Sequence, residues 1–183
     1  MKKSTIFYIA AILLAVFILF EIVTLVTYAM PFKELQHARG LMDEGRSSII
    51  YVTTNNGTIQ DLQPYLDTAE KNYISALGIL NDPSMNGLTD MKSTLLIYKK
   101  MCDYNLQIVD SAKNKLEYTD HISKANSFLA TKNFSAAQNE LDMAEQSLAL
   151  KVNSLKNAKQ IMNSIDLNIT PIEETRQIGY PDF

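Results

Sequence analysis

The sequence predicts an all-α membrane protein: an N-terminal transmembrane helix followed by an elongated antiparallel bundle of four helices arranged as two hairpins. Three observations carry this. An uncharged apolar run opens the chain, four later segments space their apolar residues by threes and fours, and the helix breakers fall between those segments. The natural division is residues 1–30 as a signal-anchor helix, 31–166 as the bundle and 167–183 as an extended tail.

Ser4 to Phe20 carries no charge, and the apolar character resumes after Glu21 through Ile22, Val23, Leu25, Val26 and Tyr28. At about 1.5 Å per residue, residues 5–28 reach roughly 36 Å, enough to cross a ~30 Å hydrocarbon core. Lys2 and Lys3 precede the run, so the positive-inside tendency places the N-terminus in the cytoplasm and the bundle on the far side of the cell membrane. Cleavage after Thr27-Tyr28-Ala29 is the rival reading; the length of the run and Pro31 behind it favour a retained anchor. Glu21, roughly 27 Å along the helix from Lys3, reads as an interfacial carboxylate, with a basic residue on another membrane subunit as the alternative. Ala11 and Ala15 stand at small-xxx-small spacing.

In the first bundle segment Leu35, Ala38, Met42, Gly45, Ile49 and Val52 share one face, and Asn55-Asn56-Gly57 closes it. The second runs Ile59, Leu62, Leu66, Ala69, Tyr73, Ala76, Leu80 and stops before Pro83. Asp61 is the expected N-cap there, which would leave Pro64 in the first turn. The third, from Leu88 to Ile122 and beyond, has a wide apolar face that calls for more than one neighbour. Thr131-Lys132-Asn133 interrupts it, and Ser135 with Gln138 forms the expected capping box of the fourth. That last segment repeats Phe134, Ala137, Leu141, Ala144, Leu148, Lys151, Leu155, Ala158, Met162, Ile165, with Val152 expected to compensate for Lys151. Its alanines predict a close helix–helix approach. A coiled-coil dimer would satisfy the same heptads.

Two internal likenesses accompany this pattern. Leu66-Asp67-Thr68-Ala69-Glu70 returns as Leu141-Asp142-Met143-Ala144-Glu145, a weak echo between two hairpins. Residues 125–144 resemble one tetratricopeptide unit, with Ala125, Phe128, Phe134, Ala137, Leu141 and Ala144 at that family's small and large packing positions. The sequence departs from that family where the second helix should end, since it continues to about Ile165. The resemblance implies shared hairpin packing, not a peptide-binding groove.

The chemistry-bearing residues are few. Without Lys2, Lys3 and Glu21, the 17 basic and 20 acidic residues become 15 and 19, scattered in both signs, which disfavours nucleic-acid binding. Glu34 and His37 form half of a di-iron motif, but no second Glu-x-x-His follows; Glu117 and Asp120 stand at the wrong spacing from the other histidine. Cys102 is alone and reads as a small core residue. No phosphate loop, hydrolase elbow or dinucleotide fingerprint occurs. Asn56, Asn133 and Asn168 head sequons. Of Tyr51, Tyr65, Tyr73, Tyr98, Tyr104 and Tyr118, most are expected in the core and some on a binding surface. The sequence therefore leads to no catalytic, cofactor or metal residues. It points to an extracytoplasmic interaction module, held by residues 5–28 and binding a protein partner or a second copy through its helix faces. A self-associating spacer is the alternative, and a metal-binding or enzymatic bundle a more distant one.

Overall fold

A computed structural model describes residues 3–166, and every regular element in it is helical. The helices are α1 (Lys3–Thr24), α2 (Met30–Thr54), α3 (Ile59–Leu80), α4 (Lys92–Ala130) and α5 (Phe134–Asn163). The apolar N-terminal helix does not end where the bundle begins. A π turn, Leu25–Ala29, joins α1 to α2, and Thr24, Ala29 and Met30 all keep right-handed helical dihedrals.

Pro31 explains that turn. An α-helical ladder would pair the Thr27 carbonyl with the N–H of residue 31, which proline lacks, and the ring would strike that carbonyl. The helix widens instead, and the Met30 N–H bonds to the Leu25 carbonyl five residues back. Thr24 and Thr27 turn their hydroxyls onto the Phe20 and Val23 carbonyls at 2.9 and 2.7 Å, so neither is left bare in an apolar setting.

The four bundle helices pack largely in sequence, α2 on α3, α3 on α4 and α4 on α5, as two hairpins side by side. All six apolar-face residues expected in α2 are buried, as are Leu62, Leu66, Ala69, Tyr73, Ala76 and Leu80 of α3. The wide face of α4 has the two neighbours it calls for: Leu95, Tyr98, Met101, Cys102, Ile108 and Val109 lie in the core between α3 and α5. Ala137, Ala144 and Ala158 are buried against α4, the close approach that small side chains permit.

α4 is 39 residues long, about 58 Å, while α2 and α3 have 25 and 22. The α4–α5 hairpin therefore runs past the α2–α3 turn as a two-helix arm. Beyond Ala112 the only fully buried apolar side chain of α4 is Ala125. In this region the bundle does not cover every apolar stripe. Leu66 is 0% exposed in α3, but its counterpart Leu141 in α5 is 40% exposed, because α5 has a neighbour on one side only.

Several local expectations are corrected. Thr58, not Asp61, caps α3: its hydroxyl accepts from the Asp61 N–H, and the Asp61 carboxylate accepts from the Thr58 N–H at 3.0 Å. Pro64 thus sits inside the helix, giving up one ladder bond. α4 begins at Lys92, not at Leu88: two 3₁₀ turns, Pro83–Gly87 and Thr89–Met91, precede it, with Leu88 between them and Met91 closing the second. Asn133, not Ser135, caps α5 by accepting from the Ala136 N–H at 3.3 Å. Val152 does not compensate for Lys151; it is 56% exposed, while Lys151 is the half-buried one.

The α2–α3 contact is closest where Gly45 faces the fully buried Tyr73 ring. A Cβ built on Gly45 would lie 2.9 Å from that ring, whereas one on Gly40 in the same helix meets nothing within 4 Å. Opposite outcomes are expected for the same substitution. Gly45→Ala should destabilise the bundle by about 1–3 kcal/mol through overpacking. Gly40→Ala should stabilise it by roughly 0.5–1 kcal/mol through helix propensity. Thermal unfolding of the two variants in detergent micelles checks this; equal shifts would refute the tight contact.

Candidate functional site

The arm offers two candidate surfaces. Where the α2–α3 turn meets the flank of α4, a cleft of about 250 Å³ opens between Asn55, Asn56, Gly57, Lys115, Leu116 and Thr119. A neighbouring cleft of about 230 Å³ shares Gly57, Leu116 and Thr119 and extends to Asp120 and Ser123. The floor is apolar, from Val52, Leu62 and Ala112, while the rim carries hydroxyls, amides and one charge of each sign. This notch exists because α2 and α3 stop while α4 continues.

The second surface is the ridge on α5. Phe134, Leu141 and Leu148 recur at seven-residue spacing with exposures of 68%, 40% and 41%, and Val152 follows. α4 covers the alanine side of the stripe and leaves this leucine side open. The tetratricopeptide-like positions divide the same way: Ala125, Ala137 and Ala144 are buried, while Phe134 and Leu141 are exposed. In a repeat array the next hairpin would cover those large residues.

Polar pairs fix the hairpins in register. His121 Nδ1 lies 2.7 Å from Glu140 of α5, a partner the sequence spacing around His121 did not reveal. The Ser147 hydroxyl donates to Glu117 at 3.4 Å. Lys113 of α4 donates to Asp67 at 2.8 Å and to Glu70 at 2.7 Å on α3, tying the two hairpins together. Lys113 holds the Asp67 carboxyl below its ordinary value, and burial pushes Asp110 up, with Glu70 as a second cause. On α5, burial lowers the Lys151 ammonium, and Lys115 adds to this.

The other residues singled out by the sequence are placed apart. Glu34 and His37 are 3.8 Å from each other on an exposed face. Cys102 is fully buried, and desolvation pushes its thiol up to about 12, so it is held as an unreactive thiol. Among the described residues no group of three or more His, Cys, Asp and Glu is arranged to hold a metal. Tyr73, Tyr98 and Tyr104 are in the core, whereas Tyr51 and Tyr65 stack on the surface with ring centroids 4.1 Å apart. Asn56 and Asn133 are exposed at the two turns, and Asn168 lies outside the described residues. The Asn105 and Ser111 side chains are buried in α4 without a hydrogen-bond partner among the described residues.

The class defined by these features is an all-α, two-hairpin bundle carried on a helix long and apolar enough, by length and composition, to cross a membrane. The chain matches no protein-family model, no curated protein and no solved structure.

The Lys113 bridge sets a pH dependence. The folded state binds the Asp67 proton less tightly than the unfolded chain, whose carboxylate titrates near about 3.9. The bridge's contribution is therefore complete above that value and is lost as pH falls through the depressed folded one. Lys113→Met should lower stability at neutral pH and flatten this part of the acid limb, read by unfolding midpoints from pH 7 to pH 3. An unchanged acid limb in the variant would show that the bridge contributes nothing.

Proposed function

We propose that this protein is a membrane-tethered, extracytoplasmic interaction module that works by binding and not by catalysis. Its N-terminal helix anchors it with the N-terminus in the cytoplasm, and the α4–α5 arm is its binding element. The observation that carries this reading is the open leucine side of α5. Phe134, Leu141 and Leu148 stay exposed although Ala137, Ala144, Ala158 and Ile165 of the same stripe are buried. Exposed apolar ridges of this kind mark protein contacts.

The reading gains from the way the arm is held. Among the described residues no flexible linker separates the apolar N-terminal helix from α2, so a bound partner would sit at a defined height above the bilayer. The heptad spacing on α5 also suits self-association, which makes a spacer or scaffold of like chains the second reading.

A photo-crosslinking amino acid at Leu141 or Leu148, irradiated in native membranes, distinguishes these readings. Discrete adducts at both positions, absent from the same probe at exposed Gln60 on α3, are expected. An adduct of twice the monomer mass assigns the ridge to a second copy, and any other discrete mass to a different protein. Uncrosslinked monomer at both positions would overturn the proposal.

A further inference from the structure

The base of the bundle, opposite the arm, carries a feature that the binding reading does not use. The connection between α3 and α4 folds back onto the π turn, and Gly87 lies against the backbone of Thr27, where a Cβ would overlap the Thr27 carbonyl oxygen. Met85 and Leu88 are buried and hold the connection down, leaving Pro83, Ser84 and Asn86 exposed.

The level of that contact is fixed by the helix it touches. Exposed apolar residues continue without interruption from Ile12 to Phe20 and resume from Ile22 to Val26, ending in Tyr28, Met30 and Phe32. Tyr28 and Phe32 stack nearly parallel with centroids 6.4 Å apart, and Lys33 follows. Aromatic rings succeeded by a lysine mark the boundary between hydrocarbon and headgroups. Thr27 is one residue inside Tyr28, so Gly87 stands at that boundary.

We propose that residues 81–91 form a foot that rests in the lipid headgroup layer of the membrane that the N-terminal helix crosses. This rests on the membrane-spanning reading of that helix. The foot's exposed groups are the Pro83 ring, the hydroxyls of Ser84 and Thr89 and the amides of Asn81 and Asn86, which suit hydrogen-bonding to phosphate and ester oxygens at the surface, together with the carboxylates of Asp82 and Asp90, which oppose deep insertion. Attraction to anionic lipid is not its basis. No Lys or Arg lies between Lys71 and Lys92, and the connection carries Asp82 and Asp90. The Asp82 carboxylate is already engaged by the Ser84 N–H at 2.8 Å. With the continuous helix as one attachment and the foot as a second, the bundle stands at a fixed angle to the bilayer.

The full chain reconstituted in phosphatidylcholine vesicles tests this with an environment-sensitive fluorophore on single introduced cysteines; native Cys102 is buried and does not compete. The label at Asn86→Cys should be blue-shifted relative to Asn56→Cys and quenched by spin labels at the headgroup but not at mid-chain. At Phe17→Cys it should be quenched at mid-chain. A label at Asn86 as aqueous as the one at Asn56, with Phe17 deep, overturns the foot alone; an aqueous label at Phe17 overturns the spanning helix and the foot together. In a Gly87→Val chain of unchanged helical content, a label at Ser84→Cys should move toward water. If it stays at headgroup depth, the Gly87–Thr27 contact is not what holds the foot.

Discussion

The architecture depends on one long helix being used in two ways. The first half of α4 is apolar on most of its circumference, and Leu95, Ile97, Tyr98, Met101, Cys102, Ile108 and Val109 bury it between α3 and α5. After Ala112 the same helix narrows to a thin contact with α5, held by Ala125 and by the His121–Glu140 and Glu117–Ser147 pairs. The body is the part of α4 that α3 covers. The arm, the notch and the open ridge on α5 all follow from α3 ending at Leu80 and starting only at Ile59, which matches less than two thirds of α4's length.

The opposite end is governed by a single proline. Pro31 removes the donor that would close the helical ladder at Thr27, and the helix accommodates it with a π turn in place of a break. The freed geometry lets the backbone at Gly87 approach Thr27, which a side chain at residue 87 would prevent. The apolar N-terminal helix and the bundle become one mechanical unit, joined through packed helix and not through a loose tether.

Much of this was legible in the sequence. The apolar period placed the face of each helix, and Asn55-Asn56-Gly57, Asn81-Asp82-Pro83 and Thr131-Lys132-Asn133 placed the turns: Thr54, Leu80 and Ala130 end their helices at those points. Periodicity says which face wants cover, not whether it is covered, and so it could not separate Leu66 from Leu141. Caps were misplaced by a turn because Thr58 and Asp61, like Asn133 and Ser135, are all competent capping residues, and the choice is made by where the preceding turn delivers the chain. Contacts between helices, such as Lys113 with Asp67 and Glu70 or Gly87 with Thr27, join residues many positions apart. No local spacing announces them.

Hydrogen exchange along α4 tests the division of this helix most directly. If its first half is body and its second half arm, amides between Leu95 and Ala112 should exchange only by global unfolding, while those from Tyr118 to Ala130 and the facing turns of α5 should open earlier as one smaller unit. Uniform protection from Leu95 to Ala130 would contradict the account, because it would mean that the arm is as firmly covered as the core.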